Sequence, residues 1–332
     1  MTITRRQALL QTTAAAASLL AGLKARAQAG GSPFENVKIV TGFTPGGTSD
    51  TICRRMAEKL RPGYGKSVLV ENRTGAGGQI AVQAMKTVQP DGTTILQTPM
   101  SMLGIYPHIY KKLAYDPVAD LTPVSLGAVF DFGFAVGPQV PASVTNMAEF
   151  FAWSKANPGL ANYGSPAAGS TPHFVGVLAG RAGGVDLKHV PYRGTQPAIL
   201  EMMGGQIAAV SGPVGEFTQH IPGGKCRLLA TTGARRSKFA PNTPTLVEQG
   251  LKDLAFNEWF GFYLPAKAAP DVVKRLNAAM VEALAAPDLI AGLEVMGLEA
   301  KSSSPAELAA MLKADHDRWG PLIKSIGFTA ES

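Results

Sequence analysis

Two cysteines in 332 residues exclude a disulfide scaffold and a zinc ribbon. Cys53 and Cys226 stand far apart in the chain and read as two buried thiols. The five histidines, His108, His173, His189, His220 and His316, show no H-x-x-H or H-x-x-x-H spacing. Each reads as a packing or surface side chain, and neither a metal nor a cofactor is expected. A basic stripe with interleaved aromatics is missing, which argues against a nucleic-acid partner. Beyond the first 29 residues no run of eighteen uncharged apolar residues occurs, so no later segment reads as a membrane span. Catalytic signatures also fail. Gly65-Lys66-Ser67 has Leu60 where a Walker A loop needs glycine, and Gly75-Ala76-Gly77-Gly78 has Ile80 where the third dinucleotide-binding glycine belongs. No G-x-S-x-G surrounds Ser165, Ser170 or Ser211, so a nucleophile elbow is absent.

What is present is an apolar, turn-rich chain. Hydrophobic residues make up 45% and charged residues 17%, a balance that collapses into a core and excludes disorder. The 37 glycines and 24 prolines are dispersed singly and in short clusters, marking defined turns. Residues 1–29 read as an export signal. Arg5 and Arg6 precede an alanine-rich apolar stretch from Ala8 to Leu23, and Ala25-Arg26-Ala27 supplies the small residues a signal peptidase reads. Thr4-Arg5-Arg6-Gln7 also resembles the twin-arginine pattern, so Sec and twin-arginine routes both stay open and the expected location is the periplasm. The leader distorts the charge balance. Residues 1–27 carry Arg5, Arg6, Lys24 and Arg26 and no acid, so the formal +7 of the whole chain falls to +3 beyond them.

After the leader, strands alternate with glycine-rich loops and helices, which predicts an α/β fold with a parallel sheet covered on both faces. Strands are expected at 37–40, 67–71, 94–97, 133–137, 160–163 and 256–264. Helices are expected at 51–60, 79–88, 146–156, 198–203, 270–285, 305–314 and 316–326. The two halves open alike, each with a strand and a glycine-rich loop that starts a helix. This predicts two lobes about a cleft: a discontinuous first lobe over 30–128 and 256–332, and a second over 129–255.

The two helix-opening loops carry the functional expectation. Thr44-Pro45-Gly46-Gly47-Thr48-Ser49-Asp50 leaves backbone amides open to a ligand, with the positive end of a helix behind them. Gly164-Ser165-Pro166-Ala167-Ala168-Gly169-Ser170-Thr171-Pro172 repeats the arrangement, with Thr171 expected as N-cap and Pro172 as the first helical residue. A side chain at Gly46 is expected to fill the space an anion needs. Arg193 either pairs with a ligand carboxylate or faces solvent.

In order and spacing the chain resembles the Bug family, the TctC-like periplasmic solute receptors of tripartite tricarboxylate transporters. The likeness rests on Phe43-Thr44-Pro45-Gly46-Gly47, Val70-Glu71-Asn72-Arg73-Thr74-Gly75, Pro90-Asp91-Gly92 and Tyr115-Asp116-Pro117. It continues through Ala156-Asn157-Pro158-Gly159, Asn162-Tyr163-Gly164-Ser165 and His189-Val190-Pro191-Tyr192-Arg193-Gly194. The resemblance implies a two-lobed periplasmic-binding-protein (Venus-flytrap) fold, each lobe a sheet flanked by helices, closing on a small carboxylate. Carried over by position, it places Phe43, Thr44, Gly46, Gly47 and Ser49 in the first loop of the ligand site. It places Ser165, Gly169, Ser170 and Thr171 in the second, and Thr98, Tyr192 and Ser211 near the distal end of the ligand. Thr44 stands where a proline is usual, and Ser211-Gly212-Pro213 where many members have an Asp-Asn pair, which leans against an amino-acid ligand. The expected protein is a monomeric, non-enzymatic receptor that hands an organic acid to a membrane transporter or a sensor. The alternative is an exported serine hydrolase using Ser165 or Ser211 with a histidine.

Overall fold

A computed structural model describes residues 34–61 and 63–330, so the expected leader at 1–29 lies outside the described residues. The chain is built on one continuous path of strands. Strand β1 (Phe34–Thr41) pairs in parallel with β2 (Gly65–Asn72) and with β3 (Thr94–Pro99). Helix α1 (Thr48–Leu60) connects β1 to β2 and buries Ile52, Met56, Ala57 and Leu60 along one face, the spacing of an amphipathic helix on a sheet. A short α2 (Gln79–Ala84) leads to β3, and two further short helices, α3 (Met100–Gly104) and α4 (Tyr106–Ile109), follow it.

Strand β4 (Leu121–Val136) then runs for 16 residues, about 50 Å. The expected strand at 133–137 covers only its last quarter. Pro123 hid the start, because proline interrupts a ladder. Here the register slips between Pro123 and Ser125, which accommodates it. Up to Asp131, β4 pairs with β9 (Asn257–Pro265). From Phe132 onward it pairs with β7 (Ala209–Pro213) on one side and β8 (Arg227–Thr231) on the other. The second half adds α5 (Met147–Ala156), β5 (Asn162–Ser165), α6 (Thr171–Gly183), β6 (Lys188–Pro191), α7 (Thr195–Met203) and α8 (Val214–Thr218). The main path through the sheet runs β2-β1-β3-β9-β4-β7-β5-β6.

The sheet is mixed where a parallel one was expected. β1, β2 and β3 are parallel, as are β5, β6 and β7, but β9 is antiparallel to both β3 and β4. The reason is topological: the chain passes between the halves out along β4 and back into β9. Thr232 ties the crossings together. Its hydroxyl accepts from Phe132 N at 3.0 Å and donates to Phe256 O at 2.6 Å, and its amide donates to Phe132 O at 2.9 Å.

Beyond β9 come α9 (Pro270–Leu284), α10 (Pro287–Glu294), the two-residue β10 (Glu299–Ala300) and α11 (Pro305–Ile326). One helix replaces the two expected over 305–326. Its buried stripe of Leu308, Leu312, Trp319, Ile323 and Ile326 outweighs the roughly 3 kcal/mol that Pro321 costs a helix interior. Trp319 packs on Phe174 and Phe256, so α11 touches elements of both halves. Cys53 and Cys226 are free, buried thiols, as expected.

Candidate functional site

Between the halves lies a narrow cavity of about 50 Å³. Its floor belongs to the first loop, where α1 begins at Thr48, three residues earlier than expected. Asp50 shapes that loop. Its carboxylate accepts from Gly46 N at 3.0 Å, Arg54 Nε at 2.7 Å and Asn72 Nδ2 at 2.9 Å. Burial alone raises its pKa, but these bonds outweigh burial and hold it below the usual value. Gly46 takes φ +88°, a conformation that favours glycine.

The first loop contributes Phe43, Thr44, Gly47, Thr48 and Ser49 to the cavity wall, and the second contributes Pro166, Ser170 and Pro172. Gly194 and Thr195 close one side, the ends of β3 and β7 add Pro99 and Pro213, and the helices that follow them, α3 and α8, add Ser101 and Glu216. Phe130, Phe132 and Phe260 form an aromatic wall with Glu258 beside it. Phe130 lies 4.5 Å from Phe260 and 5.6 Å from Phe132 between ring centroids. Of the expected residues, the structure therefore gathers Phe43, Thr44, Gly47, Ser49 and Ser170 around one cavity.

The remaining expected residues face elsewhere. A Cβ on Gly46 would meet open space, so it is Gly47, 3.3 Å from Glu216 Oε1 at the same test position, that borders the cleft. Thr98 turns its hydroxyl to Met102 Sδ at 3.2 Å. Tyr192 donates to Glu201 Oε2 at 2.6 Å, and Ser211 is buried with an unpartnered hydroxyl. Ser170 rather than Thr171 is the N-cap of α6, and its hydroxyl donates to Ala167 O at 2.7 Å. Thr171 is the first helical residue, fully buried. Arg193 is exposed and does not line the cavity.

Ser165 and Gly169 are held from behind by histidines that are scattered in sequence and stacked in space. His173 and His189 lie 4.0 Å apart between ring centroids. Gly169 N donates to His173 Nδ1 at 3.0 Å, and Ser165 Oγ lies 2.7 Å from His189 Nε2. Burial pushes the two imidazoles down to about 4 and about 3 respectively, so both are neutral at pH 7. Ser165 Oγ also lies 3.1 Å from Ala167 O, a second acceptor within its reach.

Four of the backbone amides expected to be open are engaged. Gly46 N is taken by Asp50, Gly169 N by His173 and Ser170 N by Ala167 O. Thr48 N, at the start of α1, donates to Glu216 Oε1 at 3.0 Å, and the Thr48 hydroxyl reaches the same oxygen at 2.9 Å. The groups left to meet a ligand include hydroxyls. Those of Thr44, Ser49, Ser101 and Thr195 line the cavity and make no hydrogen bond to another described residue. Glu216 and Glu258 went unseen in the sequence, although each had a signal: an acid embedded in an apolar run, Val214-Gly215-Glu216-Phe217 and Glu258-Trp259-Phe260-Gly261-Phe262.

The sequence model of the family described as "Tripartite tricarboxylate transporter family receptor" matches residues 52–328. The chain belongs to that family. A relative, the "UPF0065 protein in gbd 5'region" of Cupriavidus necator, is 34% identical to this receptor over 286 residues, 86% of each chain. The receptor is similar to the solved periplasmic binding protein BugD, with TM-score 0.83 and 29% identity over 90% of this chain and 100% of that one. It is equally similar to R. palustris Rpa4515 with adipate, with TM-score 0.85 and 28% identity over 90% of this chain and 99% of that one. The receptor thus has the two-lobed α/β architecture of periplasmic binding proteins. A larger groove of about 1000 Å³ opens elsewhere on it, beside Tyr110, Lys111, Leu312 and His316, and none of the loop residues reaches it.

Proposed function

We propose that this receptor captures one small organic acid in the cavity between its lobes and presents it to a membrane transporter or a sensor, without chemical change. The observation that carries the reading is the convergence of Ser49, from the start of α1, and Thr195, from the start of α7, on one buried cavity. Unpartnered hydroxyls donate readily to a carboxylate. The adipate held by Rpa4515 supports an acid as the ligand class. The lobes of this reading comprise residues 30–128 with 256–332, and 129–255. The exchange of strand partners between Asp131 and Phe132 supports hinges close to those limits. A cavity of about 50 Å³ takes only a few water molecules, so admission of an acid requires the lobes to part. In this reading residues 1–29 direct export and are removed, and the mature protein acts as a monomer.

The hydrolase reading has a Ser165–His189 contact in its favour, but Ser165 is wholly buried and outside the cavity. The test is calorimetric titration with a panel of mono-, di- and tricarboxylates, with the acid recovered and analysed afterwards. The expected result is saturable 1:1 binding of at least one acid, unchanged on recovery. That acid should stabilise the protein by about 2.7 kcal/mol at a hundred times its Kd. Binding of no acid, or ester turnover abolished by Ser165→Ala, would overturn the reading.

A further inference from the structure

The titratable side chains that line the cavity are both acids. Among the described residues that line it there is no lysine, arginine or histidine, whereas Glu216 and Glu258 both do. Each is only 2% exposed. Glu216 comes from α8 of the second half and reaches across to the first. Its Oε1 accepts from Thr48 N and Oγ1, and its Oε2 accepts from Gln196 Nε2 at 3.1 Å. Those three bonds hold it as an acceptor at the start of α1, the place a ligand carboxylate was expected to take. No cationic side chain among the described residues that line the cavity accompanies it. Between this end and Glu258 the walls are apolar, with Phe43, Phe130, Phe132 and Phe260 facing the cavity.

A carboxylate brought into such a space has the four free hydroxyls to receive it. A second one on the same ligand has no counter-ion and must lie among phenylalanines or against the buried Glu216 carboxyl, whose oxygens already accept three hydrogen bonds. Little water fits there, so repulsion between the carboxyl groups is poorly screened. We infer that the cavity selects acids with a single carboxylate on an apolar body, and that Glu216 is the residue that turns a second carboxylate away. Selection by repulsion of the wrong partner is a general route to specificity. Close packing sets the position of Glu216 in this form: a Cβ on its neighbour Gly215 would lie 1.9 Å from the Met296 carbonyl carbon, so α8 sits directly against the first half.

This inference rests on the receptor reading above, and its test separates the two. Titrations compare hexanoate with adipate and benzoate with isophthalate, each pair differing by one carboxylate, on the parent protein and on Glu216→Gln. The parent should bind the better monoacid at least about tenfold more tightly than its diacid. Glu216→Gln, melting cooperatively near the parent, should bring the two together by strengthening the diacid. The inference fails if a diacid or tricarboxylate is the tightest ligand of the parent, or if the preference is unchanged in a folded Glu216→Gln protein. Should that variant not fold, the parent's own ranking decides. Binding of no acid whatever would count against the receptor reading itself.

Discussion

Glu258 shows what burial does to a single side chain. It stands in β9, among Trp259, Phe260 and Phe262, and its Oε1 accepts from Ser101 N at 2.8 Å. Burial pushes its pKa up to about 8, against smaller downward pulls from the Thr171 hydroxyl and the Ser101 amide. The folded protein therefore keeps a proton that the unfolded chain releases near 4.5. The resulting stability is complete below that value, falls as pH rises towards 8, and is gone above it. His173 and His189 act from the other side: burial depresses them, so stability falls as pH drops from about 6.5 towards 4. Glu258→Gln keeps an acceptor for Ser101 N and removes the titration. Melting curves should show this variant more stable than the parent at pH 9, on the order of a few kcal/mol, and little different at pH 4. Equal stability at pH 9 would mean that Glu258 is not the buried acid described.

Among the elements, the paired crossings β4 and β9 matter most, because in the proposed receptor a displacement of one lobe on the other passes through them. Thr232 joins Phe132 to Phe256 by two side-chain bonds. Thr232→Val preserves shape while leaving the Phe132 amide without its partner, a loss of about 1–3 kcal/mol. Chemical denaturation should register that loss, and amide exchange at Phe132 should accelerate; protection unchanged at Phe132 would remove Thr232 from the hinge. Periodicity made α1, α5, α9 and the return strand β9 legible in the sequence, since each carries an apolar pattern with clear ends. β4 was legible only in part, because Pro123 is tolerated by a slip of register that no local pattern reveals. The break expected at residue 315 is absent: the buried stripe of α11 runs on through Leu312 and Trp319, and Trp319 packs on Phe174 and Phe256.

At the scale of the whole molecule, the two loops were visible as glycine-rich openings of helices, but their occupants were not. The amide of Thr48 is satisfied by Glu216, 168 residues away, and the amide of Gly169 by a histidine whose stacking partner is 16 positions further on. Such partners are set by tertiary approach, to which spacing in the chain is blind. What the fold achieves is to bring Ser49, Ser101, Thr195 and Thr44 around one cavity walled by phenylalanine. The central claim is that an acid is held there, between the lobes. The direct measurement is a crystal structure of the protein grown with the acid that binds it most tightly. The account predicts one acid in the interlobe cavity, its carboxylate within hydrogen-bonding distance of the Ser49 and Thr195 hydroxyls. An acid seated instead in the groove beside Tyr110 and His316, with the interlobe cavity filled only by water, would contradict it.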